Sequence, residues 1–176
     1  AQRLGWAEAA DQRFRQALQL NIEDAYLLAA YADFLLDQGR AKEVVSLLSD
    51  KVRNDVLLVR LALAEKAMGH PAARDHEATI QARIEAARLR QDRLHLGDEA
   101  RFALYFLNRP DEALKLAQAN WDSGQHEARD ARILLDAAIA ARSPAGAKAA
   151  LEWLEVHRHE DVYLNRLASR LRELNP

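Results

Sequence analysis

Six histidines and several adjacent carboxylates are the side chains with most chemistry to offer. His157-x-His159 is followed by Glu160 and Asp161, a grouping of imidazoles and carboxylates of the kind that can hold zinc. Two ligands at i, i+2 in a turn make a weak set, and no third histidine is near in sequence. Surface histidines are the plainer reading. His126-Glu127 lacks the second histidine of a helical metalloprotease motif. His70 and His76 flank a helix start and make no recognisable set. Asp111-Glu112 and Glu160-Asp161 could act as paired acids, but both fall at expected helix starts, where capping accounts for them. Nucleophilic and phosphate chemistry has fewer footholds still. There is no cysteine, no Gly-x-Ser-x-Gly elbow, no glycine-rich phosphate loop and no nucleotide fingerprint. The residues argue against an enzyme and call for no metal and no cofactor.

Charge and composition narrow the partners. The formal net charge is -2 over 176 residues, so no strong attraction to nucleic acid is expected. No run of about 18 apolar residues could span a bilayer, so membrane insertion is not expected. There is no signal-peptide pattern. The chain starts at Ala1 rather than Met, which leaves room for a leader removed by processing or truncation. Hydrophobic residues make up 49% and charged residues 30%, the balance of an ordinary globular domain. Ala and Leu dominate the apolar set, and both are strong helix formers.

The elements that must position any site come from a recurring punctuation mark. Leu4-Gly5-Trp6-Ala7-Glu8-Ala9-Ala10 is followed by Gln38-Gly39-Arg40-Ala41-Lys42-Glu43-Val44 and Met68-Gly69-His70-Pro71-Ala72-Ala73-Arg74. It returns as Leu107-Asn108-Arg109-Pro110-Asp111-Glu112-Ala113 and Ala141-Arg142-Ser143-Pro144-Ala145-Gly146-Ala147. Taking Gly5, Gly39, Gly69, Asn108 and Arg142 as equivalent gives steps of 34, 30, 39 and 34. Periods of this size mean stacked helix pairs. Apolar residues at i, i+3, i+4 and i+7 predict ten helices, at 6–20, 24–38, 41–50, 55–68, 71–90, 94–107, 110–122, 128–141, 144–157 and 161–174. Pro71, Pro110 and Pro144 suit first turns, where the missing N–H costs nothing. Gly39 and Gly69 suit left-handed helix ends. Gly124 suits a turn after Trp121. Asp24, Asp55, Asp130 and Asp161 mark the starts of first helices. The long helix at 71–90 runs into Arg88-Leu89-Arg90-Gln91-Asp92-Arg93, which predicts a protruding, solvated end or a bend. The fold class expected is all-α, a right-handed α-solenoid of about five helix pairs in one domain over 1–176. Its last helix, from Asp161 to Leu174, would cap the final apolar face.

Within this frame the residues resemble tetratricopeptide repeats. Ala10-x-x-x-Phe14-x-x-Ala17-Leu18-Gln19-Leu20 has the small–aromatic–small spacing of that family's second helix, and Ala32 takes the small position where two helices cross. The resemblance covers essentially the whole chain and is strongest over 5–50. The family's repeat-end proline is absent, with Ile22 in its place in the first unit. Arg101 falls where a small residue is expected, with Ala100 beside it; a one-residue slip in the preceding turn would mend this. The stretches Asp24 to Leu36, Glu99 to Leu104 and Ala117 to Trp121 look like the C-terminal part of uncharacterised bacterial members. That likeness implies further repeats upstream and a bacterial origin, exported in one reading and cytoplasmic in the other.

The resemblance also implies a concave face, built by the first helices, that receives a peptide or a partner helix. Carried across, the second unit offers Tyr26, Ala29, Asp33 and Leu36, and the third Val56, Val59, Arg60, Leu63 and Lys66. The fourth offers His95, Asp98, Phe102 and Tyr105, and the fifth Arg129, Arg132, Asp136 and Ile139. Chaperone-tail-binding members clamp a carboxylate with Lys and Asn, and here only Arg60 could help, so such a tail is not expected. Phe102, Tyr105 and Phe106 span one turn and cannot all face one core, so one or two could anchor a ligand. Trp6, Trp121 and Trp153 are read as packing residues. The function expected is a protein-binding scaffold. The alternative is self-association through the first helix near Trp6 and Phe14, giving a homodimer. RNA binding would need a basic groove, which Asp33, Asp98 and Asp136 oppose.

Overall fold

The computed structural model describes residues 5–20, 24–92, 96–158 and 160–174. Among them the chain is all-α, with ten α-helices, no strand and each helix packed on neighbours in sequence, the arrangement of an α-helical repeat. No helix is long and apolar enough to cross a membrane. Contacts divide the described residues into two units, the first ending at Asp92 and the second taken up again from Leu96.

Unit 1 holds α1 (Ala7–Gln19), α2 (Ala25–Asp37), α3 (Ala41–Leu48), α4 (Asp55–Met68) and α5 (Ala73–Leu89). Helix α4 packs on α2, α3 and α5. The core is a Leu and Ala stripe with Tyr31 and Phe34, and Ala32 and Ala62 are fully buried. Small side chains there let the backbones of α2 and α4 approach closely. At the far end, Arg88 to Gln91 lie exposed and Leu89 is 87% exposed, the solvated end expected of the long helix.

Unit 2 holds α6 (Leu96–Tyr105), α7 (Pro110–Asp122), α8 (Ala128–Ala140), α9 (Lys148–Val156) and α10 (Val162–Glu173). Helix α8 is the centre, packed on α6, α7, α9 and α10. Its residues Ala131, Ile133, Leu134, Leu135, Ala137 and Ala138 are all buried, and Leu164, Leu167 and Leu171 of α10 close the core from the other side.

The corners explain the period. All five equivalent residues have left-handed backbone, with φ of 74° at Gly5, 69° at Gly39, 64° at Gly69, 51° at Asn108 and 50° at Arg142. Arg40 N–H donates to the Leu35 carbonyl at 2.8 Å, His70 to Glu65 at 2.8 Å and Ser143 to Ala138 at 2.9 Å. Each bond runs from the residue after the corner to the fourth before it, which satisfies a carbonyl that the helix end leaves orphaned. At Asn108 the bond runs from Arg109 to Ala103, one residue further back, at 2.9 Å. The extra residue sits in the corner after α6 rather than in the turn before it. With that slip counted, Ala100 matches Ala32 and Ala62, and all three are 0% exposed. Arg101 then matches Asp33 and Asp136.

Several boundaries differ from expectation. Pro71 lies in a turn before α5 rather than in its first turn. The ninth helix is split into a 3-10 turn, Pro144–Ala147, and α9. Asn54, not Asp55, caps α4, accepting from Leu57 N–H at 3.2 Å. Glu127 caps α8, with Asp130 the third residue of a reciprocal capping box. Asp24 and Asp161 cap as expected. His95, His159 and Ile22 lie outside the described residues.

Candidate functional site

Helix α8 is buried almost all round, and what remains is one stripe. Arg129, Arg132, Asp136 and Ile139 keep partial exposure at helical spacing, while the residues between them are covered. These are the four positions that the sequence puts forward for the fifth unit. The neighbouring helices hold the stripe in place. Tyr105 of α6 donates its hydroxyl to Asp136 Oδ2 at 2.9 Å. Arg132 Nη2 donates to the Tyr163 hydroxyl of α10 at 3.3 Å, and its guanidinium carbon lies 4.3 Å from the Tyr163 ring centroid. Arg132 Nε is 3.7 Å from Asp136 Oδ2. Three successive first helices are therefore joined by one polar chain: Tyr105, Asp136, Arg132, Tyr163.

The electrostatics follow from partial burial. The Asp136 carboxyl is pushed above its ordinary value by burial, with Arg132 and the Tyr105 hydroxyl pulling the other way. Tyr105 is raised well above the ordinary phenol, first by burial and then by the charge of Asp136. The phenol thus stays protonated and donates to Asp136. This arrangement orients side chains.

Unit 1 has a smaller counterpart. Arg60 Nη2 donates to Asp33 Oδ2 at 2.9 Å, and its Nη1 to the Val56 carbonyl at 2.8 Å. Arg60 is only 1% exposed, so it offers no surface, contrary to its place on the expected face. Ala29 and Val59 are buried as well, while Leu36, Val56 and Leu63 are half-buried. Tyr26 and Lys66 are exposed. In unit 2, Phe102 is 3% exposed and stacks on Phe106 at 5.1 Å between centroids, so it is a core residue and not an anchor. The one-residue slip is the reason: it places Phe102 level with Phe34, inside. Tyr105 and Asp98 are half-buried, and Arg129 reaches Glu127 at 3.2 Å.

The tryptophans divide. Trp121 is buried and meets Trp153 edge to face at 5.7 Å. Trp6 is 62% exposed and is not the packing residue expected. The histidines with metal potential are turned to other partners. His157 Nδ1 lies 2.8 Å from the Trp153 carbonyl, and His126 Nε2 lies 3.0 Å from that of Trp121. Among the described residues no set of three or more such side chains is grouped to hold a metal.

Three features escaped the sequence reading. Buried Glu65 meets His76 Nδ1 at 2.7 Å and His70 Nδ1 at 4.0 Å, a join across α4 and the start of α5. Asp11, Arg15, Tyr31, Arg40 and Glu43 form a network in unit 1. Tyr163 completes the α8 stripe, and its signal was present, because Tyr163, Arg166 and Arg170 recur at i, i+3 and i+7 on α10. Comparison with protein-family models, with curated proteins and with solved structures finds no match to this chain.

Proposed function

We propose that the chain is a non-enzymatic scaffold of the tetratricopeptide type, and that the first-helix face of unit 2 docks a peptide or a partner helix. The observation that carries this reading is the polar chain from Tyr105 to Tyr163. Its side chains keep only partial exposure, 18% at Arg132 and 15% at Asp136, and are already held by each other, so a ligand would meet groups that lose little freedom on binding. The aromatic rings supply apolar area, and Arg132 and Asp136 supply direction. Burial of Arg60 against Asp33 speaks against a carboxylate clamp in unit 1. A random 12-residue peptide library displayed on phage and selected on the chain tests the reading. Selected peptides should bind wild type and lose most affinity against Arg129→Glu and Tyr163→Ala, both checked for unchanged circular dichroism. Peptides that bind these variants as well as wild type would place the docking face elsewhere.

A second reading rests on a different observation. Trp6 is 62% exposed, Leu20 72% and Tyr26 56%, all in unit 1. Trp6 and Leu20 stand at the two ends of α1, and large exposed apolar residues of this kind can be covered by another copy. Self-association through them gives a mass that rises with concentration in light scattering and stays monomeric in Trp6→Ser/Leu20→Ser.

A further inference from the structure

We infer that the occupant of the unit 2 face is an acidic peptide segment; this rests on the docking reading above and adds the chemistry of the partner. The argument is charge complementarity. Along α8 the open stripe carries Arg129 and Arg132 with Asp136, and the α8 cap Glu127 lies 3.2 Å from Arg129. The Asp136 carboxylate is covered by the Tyr105 hydroxyl and lies beside Arg132, with its side chain 15% exposed. On α10, Tyr163 meets Arg132, which fixes the side of the helix that turns toward α8. One turn on, Arg166 follows at i+3 and Arg170 at i+7, both exposed on that same side. Arg170 also lies close enough to Asp136 to act on its carboxyl. Arg166 and Arg170 therefore add two exposed guanidinium groups beside Arg132 and Arg129, the latter 3.2 Å from Glu127, on a face whose central carboxylate, Asp136, is already engaged. Arginine forks suit carboxylates, because two parallel N–H groups match two oxygens. The Tyr163 and Tyr105 rings give the segment's apolar side chains something to lie against. The chain as a whole is slightly acidic, so this surface goes against the average rather than following from it.

The test uses the intact 176-residue chain and three fluorescein-labelled probes: a 12-residue peptide of alternating Glu and Leu, the same peptide with Lys for Glu, and a 12-nucleotide single-stranded RNA. Fluorescence anisotropy should show binding of the Glu peptide that weakens as salt rises. The Lys peptide should not bind. Arg166→Glu/Arg170→Glu should weaken the Glu peptide about tenfold or more, and Arg166→Gln/Arg170→Gln by less. Both pairs sit at exposed positions, and circular dichroism checks their fold. RNA binding equal to that of the peptide, or Glu-peptide binding untouched by the reversal, would overturn the acidic-segment inference. The phage selection separates the two claims. Neutral or basic peptides that need Arg129 and Tyr163 would keep the docking face and sink the acidic partner. Peptides indifferent to both residues would sink the face itself.

Discussion

At the scale of single residues, coverage decides what a charge does. Burial alone would raise the Asp11 carboxyl, but hydrogen bonds from Arg15, Arg40 and Tyr31 outweigh it and bring it to about 2. A folded-state value below the ordinary 3.8 means that the stability Asp11 contributes is present above that value. It is lost as pH falls from there through about 2. Urea titrations between pH 5 and pH 2 should therefore show a drop in stability that Asp11→Asn makes shallower. Asp136 has the opposite sign. Its raised value means that the charged form costs stability, and the cost is relieved as pH falls through the folded-state value. Tyr105→Phe should cost about 1–2 kcal/mol in a urea titration at pH 7, because it strips a hydrogen bond from the largely covered Asp136 side chain. In Asp136→Asn an acceptor remains and the desolvated charge goes, so Tyr105→Phe should then cost less.

At the scale of elements, the corners and the caps set the helices. Arg142 holds a left-handed backbone that glycine adopts freely. Arg142→Gly should raise stability by up to about 1 kcal/mol, and Gly69→Ala should lower it by a similar amount, both read from thermal melts. Helix positions were legible in the sequence because proline, glycine and acidic caps coincide with changes in apolar spacing. Pro110, Asp24 and Asp161 each sit at the helix start they announce. The split of the ninth helix was not legible. Gly146 lies so near Leu114 that an added Cβ would fall 2.7 Å from a methyl carbon, and that is a contact between elements. The face was legible on α8 and misplaced on α6. One residue inserted in the corner after α6 turns Phe102 inward, and a count taken back from Asn108 is off by that residue. The spacing of Tyr163, Arg166 and Arg170 was readable in the sequence, but the partner of Tyr163, Arg132, lies 31 positions away and was not.

At the scale of the molecule, the stacking logic assigns each unit its own apolar store. Unit 2 is centred on α8, where Leu134 is 1% exposed. Leu134→Asp buries a charge without a partner and should cost more than about 4 kcal/mol. In a repeat each element depends on its neighbours, so the damage should be local first. Hydrogen exchange followed by mass spectrometry should show α6 to α10 losing protection before α2 to α4. Uniform loss across both units would mean one cooperative block instead. The bends themselves have one more consequence. Their register is written in main-chain bonds, as the same left-handed turn at Gly39, Asn108 and Arg142 makes plain. An added residue at one of them was absorbed on the spot, and Arg142 still makes the usual bond one hairpin later. Such bends are natural splice points, where hairpins can be lengthened, swapped or grafted one at a time while the pieces on either side keep their phase.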